Sequence, residues 1–129
     1  MVTKQKAREQ ILHWLDAMSS GDAKLIDQVT DEFLTADYVW HFPGVHGLPP
    51  GPASMKQIGR QIVGDNPEFK ITLEDLFMEG DKVAVRCTMH RKDPVSGKLQ
   101  HGIDIVLSRF VGDKAAEDWE LISPWEDDV

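Results

Sequence analysis

Residues 69–92, FKITLEDLFMEGDKVAVRCTMHRK, decide the fold. Val83, Val85, Cys87 and Met89 alternate with Ala84, Arg86, Thr88 and His90, the period of two expected of a β-strand with one buried face. Gly80-Asp81 breaks the run with the residue types that close a tight antiparallel hairpin. The pattern repeats downstream, with breaks at Pro94 to Gly97 and at Gly112-Asp113. Four strands near 69–79, 82–92, 98–110 and 115–123 therefore read as a meander, each antiparallel to the next.

Upstream the period changes. Ala7, Ile11, Leu12, Trp14, Leu15 and Met18 recur at helical spacing over residues 4–19, and Gly21 ends that helix. Asp22 is placed to cap a second helix carrying Leu25, Ile26 and Val29. Tyr38-Val-Trp-His-Phe42, stopped by Pro43-Gly44, is β-branched and aromatic and reads as a first strand with Tyr38, Trp40 and Phe42 on one face. Val45 to Ala53 is a loop, and Ser54-Met-Lys-Gln57 resembles a capping box opening a third helix that Gly64 ends. The acidic end Glu126-Asp127-Asp128 reads as a solvated tail.

These elements make one α+β domain over residues 1–129, a strongly curved antiparallel sheet wrapped around a pocket that helices from the first half close. A chain of this size buries about 65–70% of the surface exposed when unfolded, so no metal or disulfide is needed to hold it. The formal charge of −8, from 22 acidic and 14 basic residues, leaves no basic stripe for phosphates and excludes nucleic acid as an expected partner. No apolar run reaches the roughly 20 residues of a membrane span, and the polar start lacks a signal core. One cysteine, Cys87, fits a reducing compartment, and a cytoplasmic protein is expected.

Register set from the turns sorts the sheet into two faces. One carries Val83, Val85, Cys87, Met89, Gly102, Asp104 and Val106 with Trp119, Leu121 and Ser123. The other carries Phe77, Ala84, Arg86, Thr88, Ile103, Ile105, Leu107, Glu120 and Ile122, apolar enough to predict a homodimer contact. Asp104 stands alone among Ile103, Ile105 and the apolar first face, where a carboxylate must be paired or protonated.

Trp14 with Ser20-Gly-Asp22, Asp37-Tyr-Val-Trp-His41-Phe-Pro43-Gly44, Gly102-Ile-Asp104-Ile before Arg109-Phe110, and Glu117-Asp-Trp119 stand in an order along the chain that resembles the nuclear transport factor 2-like superfamily, in its SnoaL-like polyketide cyclase and ketosteroid isomerase branches. The resemblance implies three N-terminal helices on a mixed, mostly antiparallel sheet, a cone-shaped half-barrel with an internal pocket. In ketosteroid isomerases a carboxylate base sits on the strand after the helical hairpin, while a helix tyrosine and a neutral sheet acid hold the developing enolate. The resemblance puts His41 at the base, Asp104 at the acid and Trp14 at the tyrosine. It also puts Ser123, a poor proton shuttle, where many SnoaL-like cyclases carry a carboxylate four residues after the last-strand tryptophan.

The resemblance implies a cofactor-free enzyme that moves a proton at the carbon beside a carbonyl of a small apolar substrate, with His41 as base and Asp104 and Trp14 stabilising the oxygen. Trp40, Phe42, Met89, Cys87, Trp119, Leu121 and Ser123 would enclose the molecule. Each has a plainer reading beside it: His41 satisfied by a carbonyl, Asp104 paired to Arg86 or Arg109, Trp14 as packing, Cys87 as inert filler. The alternative function is a non-catalytic ligand-binding or dimerisation module. His90 and His101 fall opposite each other, but without dense ligand spacing no metal is expected. Phosphate-binding glycine loops and a nucleophile elbow are missing from the sequence, so nucleotide cofactors and serine hydrolysis are set aside.

Overall fold

A computed structural model describes residues 1–129. Helix α1 spans Lys4–Ser19, its N-terminus capped by the Thr3 hydroxyl, which accepts the Lys6 amide at 3.1 Å. Helix α2, Ala23–Phe33, starts on the expected Asp22, whose carboxylate accepts the amides of Lys24 and Leu25 at 3.0 and 3.3 Å. Such a cap is worth about 1 kcal/mol. Strand β1, Leu34–His41, follows α2 without a break and is four residues longer at its start than the aromatic run suggests.

Helix α3 spans Pro52–Asp65 and corrects the capping-box expectation. The helix begins at Pro52 because a proline at the first turn forfeits no hydrogen bond, and Gly51 supplies the φ of 108° that leads into it. A Cβ at Gly51 would meet the Ala36 carbonyl oxygen at 2.9 Å. Ser54 lies inside this helix with its hydroxyl directed at the Pro49 carbonyl oxygen, and Gly64 does not end it.

The meander is β2 Lys70–Glu79, β3 Lys82–Lys92, β4 Leu99–Val111 and β5 Lys114–Ile122. In the sheet the order is β1-β5-β4-β3-β2, with β1 parallel to β5 and the rest antiparallel, and the ends do not close. Bulges bend it: one near Glu74 in β2, and one in β5, where Arg109 pairs Glu117 while Phe110 pairs Ala115. The residues expected to be a free tail form strand β6, Glu126–Asp127, on β4. Gln100 Nε2 donates to Asp127 at 2.8 Å and His101 Nδ1 lies 2.8 Å from Asp128, so the acidic end is tied down.

The β5 bulge reverses part of the expected face assignment. Beyond the extra residue Ala116, Asp118, Glu120 and Ile122 pair with Ser108, Val106 and Asp104 on the concave face, and Trp119 and Leu121 turn outward beside Leu107 and Ile105. The β3 and β4 residues fall as expected, Cys87 opposite Asp104 and Val85 opposite Val106. Ile11, Leu15, Phe33, Leu76, Val83 and Phe110 are buried between helices and sheet, each side chain contributing about 1.5–3 kcal/mol. No helix is long and apolar enough to cross a membrane.

Candidate functional site

Three helices cover the concave face incompletely and leave a cavity of about 410 Å³, within the usual range for small-molecule sites. Of its 27 lining residues 21 are hydrophobic, so the few polar groups decide what it can do. They gather at the sheet: Asp104 and Ser108 from β4, Asp118 and Glu120 from β5, and Tyr38 from β1. Alternation brings these strands' inner side chains together, and the β5 bulge turns the two last-strand carboxyls inward.

Asp104 is only 7% exposed. Burial, then a hydrogen bond with Glu120, then the charges of Glu120 and Asp118 push its carboxyl up to about 10, so it stays protonated or shares its proton at neutral pH. Its Oδ1 is sealed from solvent with no hydrogen-bond partner, which disfavours the charged form. Glu120 is oriented by the Trp40 indole N–H, which donates to Oε1 at 2.8 Å. Asp118 accepts the Tyr38 hydroxyl at 2.6 Å and the Ser108 hydroxyl. Burial raises Asp118 to about 6 against the opposing effect of those two donors. Burial and the neighbouring Asp118 also raise Tyr38 well above an ordinary phenol, keeping it a donor.

Of the residues expected to carry chemistry, Asp104 and Trp14 border the cavity, and Trp14 stacks on Phe33 with centroids 5.8 Å apart. His41 does not. The inner face of β1 is the one with Tyr38, Trp40 and Phe42, so His41 points outward, stacked on Trp119 at 5.2 Å and paired with Glu117 at 2.6 Å. Glu117 also accepts Arg109 Nε at 3.1 Å, and the hydrogen bond from His41 leads the interactions that hold its carboxyl below the usual range.

Of the expected enclosing residues, Trp40, Phe42, Cys87 and Met89 line the cavity. Trp119 and Leu121 do not, being 37% and 62% exposed on the convex face because of the bulge. Ser123 is also absent from the wall: its hydroxyl accepts the Ile103 amide at 2.8 Å and donates to the Pro124 carbonyl. The Cys87 thiol is pushed up to about 12, chiefly by burial and then by Asp104, and is unreactive packing at neutral pH. Arg86 and Arg109 pair with Asp75 and Glu117 on the convex face, out of reach of Asp104. His90 and His101 do face each other across the β3–β4 hairpin, but on the side opposite Asp104.

Tyr38, Ser108, Asp118 and Glu120 were not singled out by the sequence. The sign that could have found Asp118 and Glu120 is Ala115-Ala116, two successive small residues where alternation buries only one, while Ser108 follows from Asp104 by plain alternation on β4.

A family model for the SnoaL-like polyketide cyclases matches residues 9–124. The chain belongs to this family. As a SnoaL-like protein it superposes on TsrD from Streptomyces laurentii with a TM-score of 0.80 at 22% identity, covering 95% of this chain and 92% of that one. IdmH from Streptomyces antibioticus, a proposed polyketide cyclase, superposes at 0.76 with 21% identity and 91% of each chain covered. An NTF2-like protein of unknown function from Exiguobacterium gives 0.71 at 16% identity, over 88% of this chain and 98% of that one. At these identities the solved structures establish the cone-shaped SnoaL-like fold alone. None of the curated proteins matches the sequence.

Proposed function

We propose that this SnoaL-like chain is a cofactor-free acid/base enzyme of the cyclase or isomerase type, acting at the carbon beside a carbonyl of a small, largely apolar substrate. The observation that carries the reading is the Asp104–Glu120 carboxyl pair, joined by a hydrogen bond at the floor of an apolar cavity with one Asp104 oxygen unpartnered. Such a pair holds one proton between two carboxyls across neutral pH. The ionised member takes the proton from the carbon, and the protonated member gives its own to the carbonyl oxygen. The substrate leaves as its enol and the pair ends with the proton count it began with. In a chain with a second carbonyl, the enol carbon can then attack that carbonyl and close a ring. Trp14 on the cavity wall is proposed as a further N–H donor toward the oxygen. His41 has no part in this chemistry, since it sits on the other side of the sheet.

A binding module without chemistry is the second reading, favoured by the positions of His41 and Ser123 away from the cavity wall. Hydrogen–deuterium exchange at the central carbon of an aryl 1,3-diketone, followed by NMR, separates the two. Exchange accelerated by the wild type and lost in Asp104→Asn and Glu120→Gln supports the enzyme; a diketone that binds without accelerated exchange supports the module.

The apolar convex face is proposed to pair with a second copy of the chain. Phe77, Ile105 and Leu121 are 70%, 49% and 62% exposed there, more apolar surface than a lone sheet face needs. Sedimentation of the wild type against Phe77→Glu tests the pairing: a dimer that the substitution dissociates supports it, and a wild-type monomer at high concentration refutes it.

A further inference from the structure

The cavity wall holds three carboxyl groups, Asp104, Asp118 and Glu120, and not one lysine, arginine or histidine. A substrate that is only a neutral ketone leaves that asymmetry unused. Three donors on the wall are already committed to these carboxyls, Tyr38 and Ser108 to Asp118 and Trp40 to Glu120. None is a cation, and Asp104, 7% exposed on the cavity wall, keeps one oxygen without a partner. The positive charge that the wall lacks is left for the ligand to bring. The remaining wall is aromatic to an unusual degree, with Trp14, Phe33, Trp40, Phe42, Phe69 and Trp125 around the same space. Ring faces attract a cation and repel an anion.

We infer that the natural ligand is an apolar molecule bearing a protonated amine, its ammonium seated against Asp104 and Glu120 and its hydrocarbon against the indole and phenyl faces. This rests on the reading of the carboxyl pair as the chemical end of the cavity, and adds the substrate class. An ammonium carries enough N–H donors to meet the carboxyls of the wall and still approach an indole face, which a hydroxyl with one hydrogen cannot do. With Asp118 ionised above about pH 6 and the pair holding one further negative charge, a monocation lowers the electrostatic self-repulsion of the wall. The net charge of −8 favours arrival of cations over anions in the same sense.

Titration calorimetry near neutral pH with three probes of one shape tests the inference: 2-(2-naphthyl)ethylamine, the corresponding alcohol and 3-(2-naphthyl)propanoate. The expected result is an amine about 10–100-fold tighter than the alcohol, with the carboxylate weakest. The double variant Asp104→Asn/Glu120→Gln, which removes the negative charge of the pair, is expected to lower the amine-to-alcohol ratio toward unity, and Glu120→Gln alone to lower it if the double variant does not fold. An amine that binds no better than the alcohol, or not at all, overturns the inference, as does a ratio unchanged in a folded variant. The diketone exchange assay contains no amine, so exchange that persists beside a ratio of one removes the ligand class and leaves the acid/base reading standing. Loss of exchange beside a retained ratio does the reverse.

Discussion

Two acidic clusters stand on adjacent residues of β5 and behave in opposite ways. On the convex side Glu117 lies between His41 and Arg109, partly exposed, and the hydrogen bond from His41 leads the interactions that hold it below the usual carboxylate range. On the concave side Asp118 and Glu120 face Asp104 with no cation near, and burial drives Asp118 to about 6 and Asp104 to about 10. The residue types are the same and the Cα positions are neighbours, so what separates them is which side of the sheet each carboxyl enters. Water and counter-charge keep Glu117 an ordinary anion, and their loss turns the inner set into proton carriers.

Rate measurements should give the widest split between the two clusters. Asp104→Asn and Glu120→Gln are each expected to slow diketone exchange by about 10²–10⁴, while His41→Ala leaves it within about twofold. A His41→Ala variant as slow as the inner pair's variants would erase the contrast. Stability against pH should separate them next. Folded Asp104 keeps its proton up to about pH 10, whereas the unfolded group releases it near 3.8. The folded state therefore holds the extra proton between those values, and stability falls as pH rises through that window. Asp118 adds a fall of the same sign between 3.8 and about 6. Glu117, lowered on folding, acts in the opposite sense at acid pH. Thermal melting of Asp104→Asn should flatten the loss seen in wild type between about pH 5 and pH 9, and an unchanged slope would place Asp104 in water.

Smaller effects sharpen the contrast. Tyr38→Phe removes the 2.6 Å donor to Asp118 and should cost about 1–3 kcal/mol in denaturant unfolding, with Asp118 moving further up in a carboxyl NMR titration. Glu117→Gln, its convex counterpart, should change stability by no more than about 0.5 kcal/mol and leave exchange unaltered.

Much of the scaffold could be read from spacing. The α1 stripe, the Asp22 cap and the three hairpin turns each follow from a local rule, and the observed elements carry them. Asp104 was visible because a lone carboxyl between two isoleucines on a central strand needs an explanation. The site was less legible, for two physical reasons. Register counted forward from Gly112-Asp113 passes through Ala115 and Ala116, and the extra residue there exchanges the faces of everything after it, hiding Asp118 and Glu120 and promoting Trp119 and Leu121. His41 follows from the other limit: alternation sorts β1 into two sets, but only packing decides which set faces inward. The aromatic set took the cavity because it buries the larger apolar area. The acidic tail was misjudged because four ordinary side-chain hydrogen bonds or ion pairs with β4 and its hairpin are invisible to composition.

The extra alanine in the last strand also works as a reading frame for the protein surface. Deleting Ala116 would leave the composition almost untouched yet send Trp119 and Leu121 into the hollow and the two acids out to the solvent, converting a charged recess into a greasy one. Loss of that one residue would thus change what the hollow can hold.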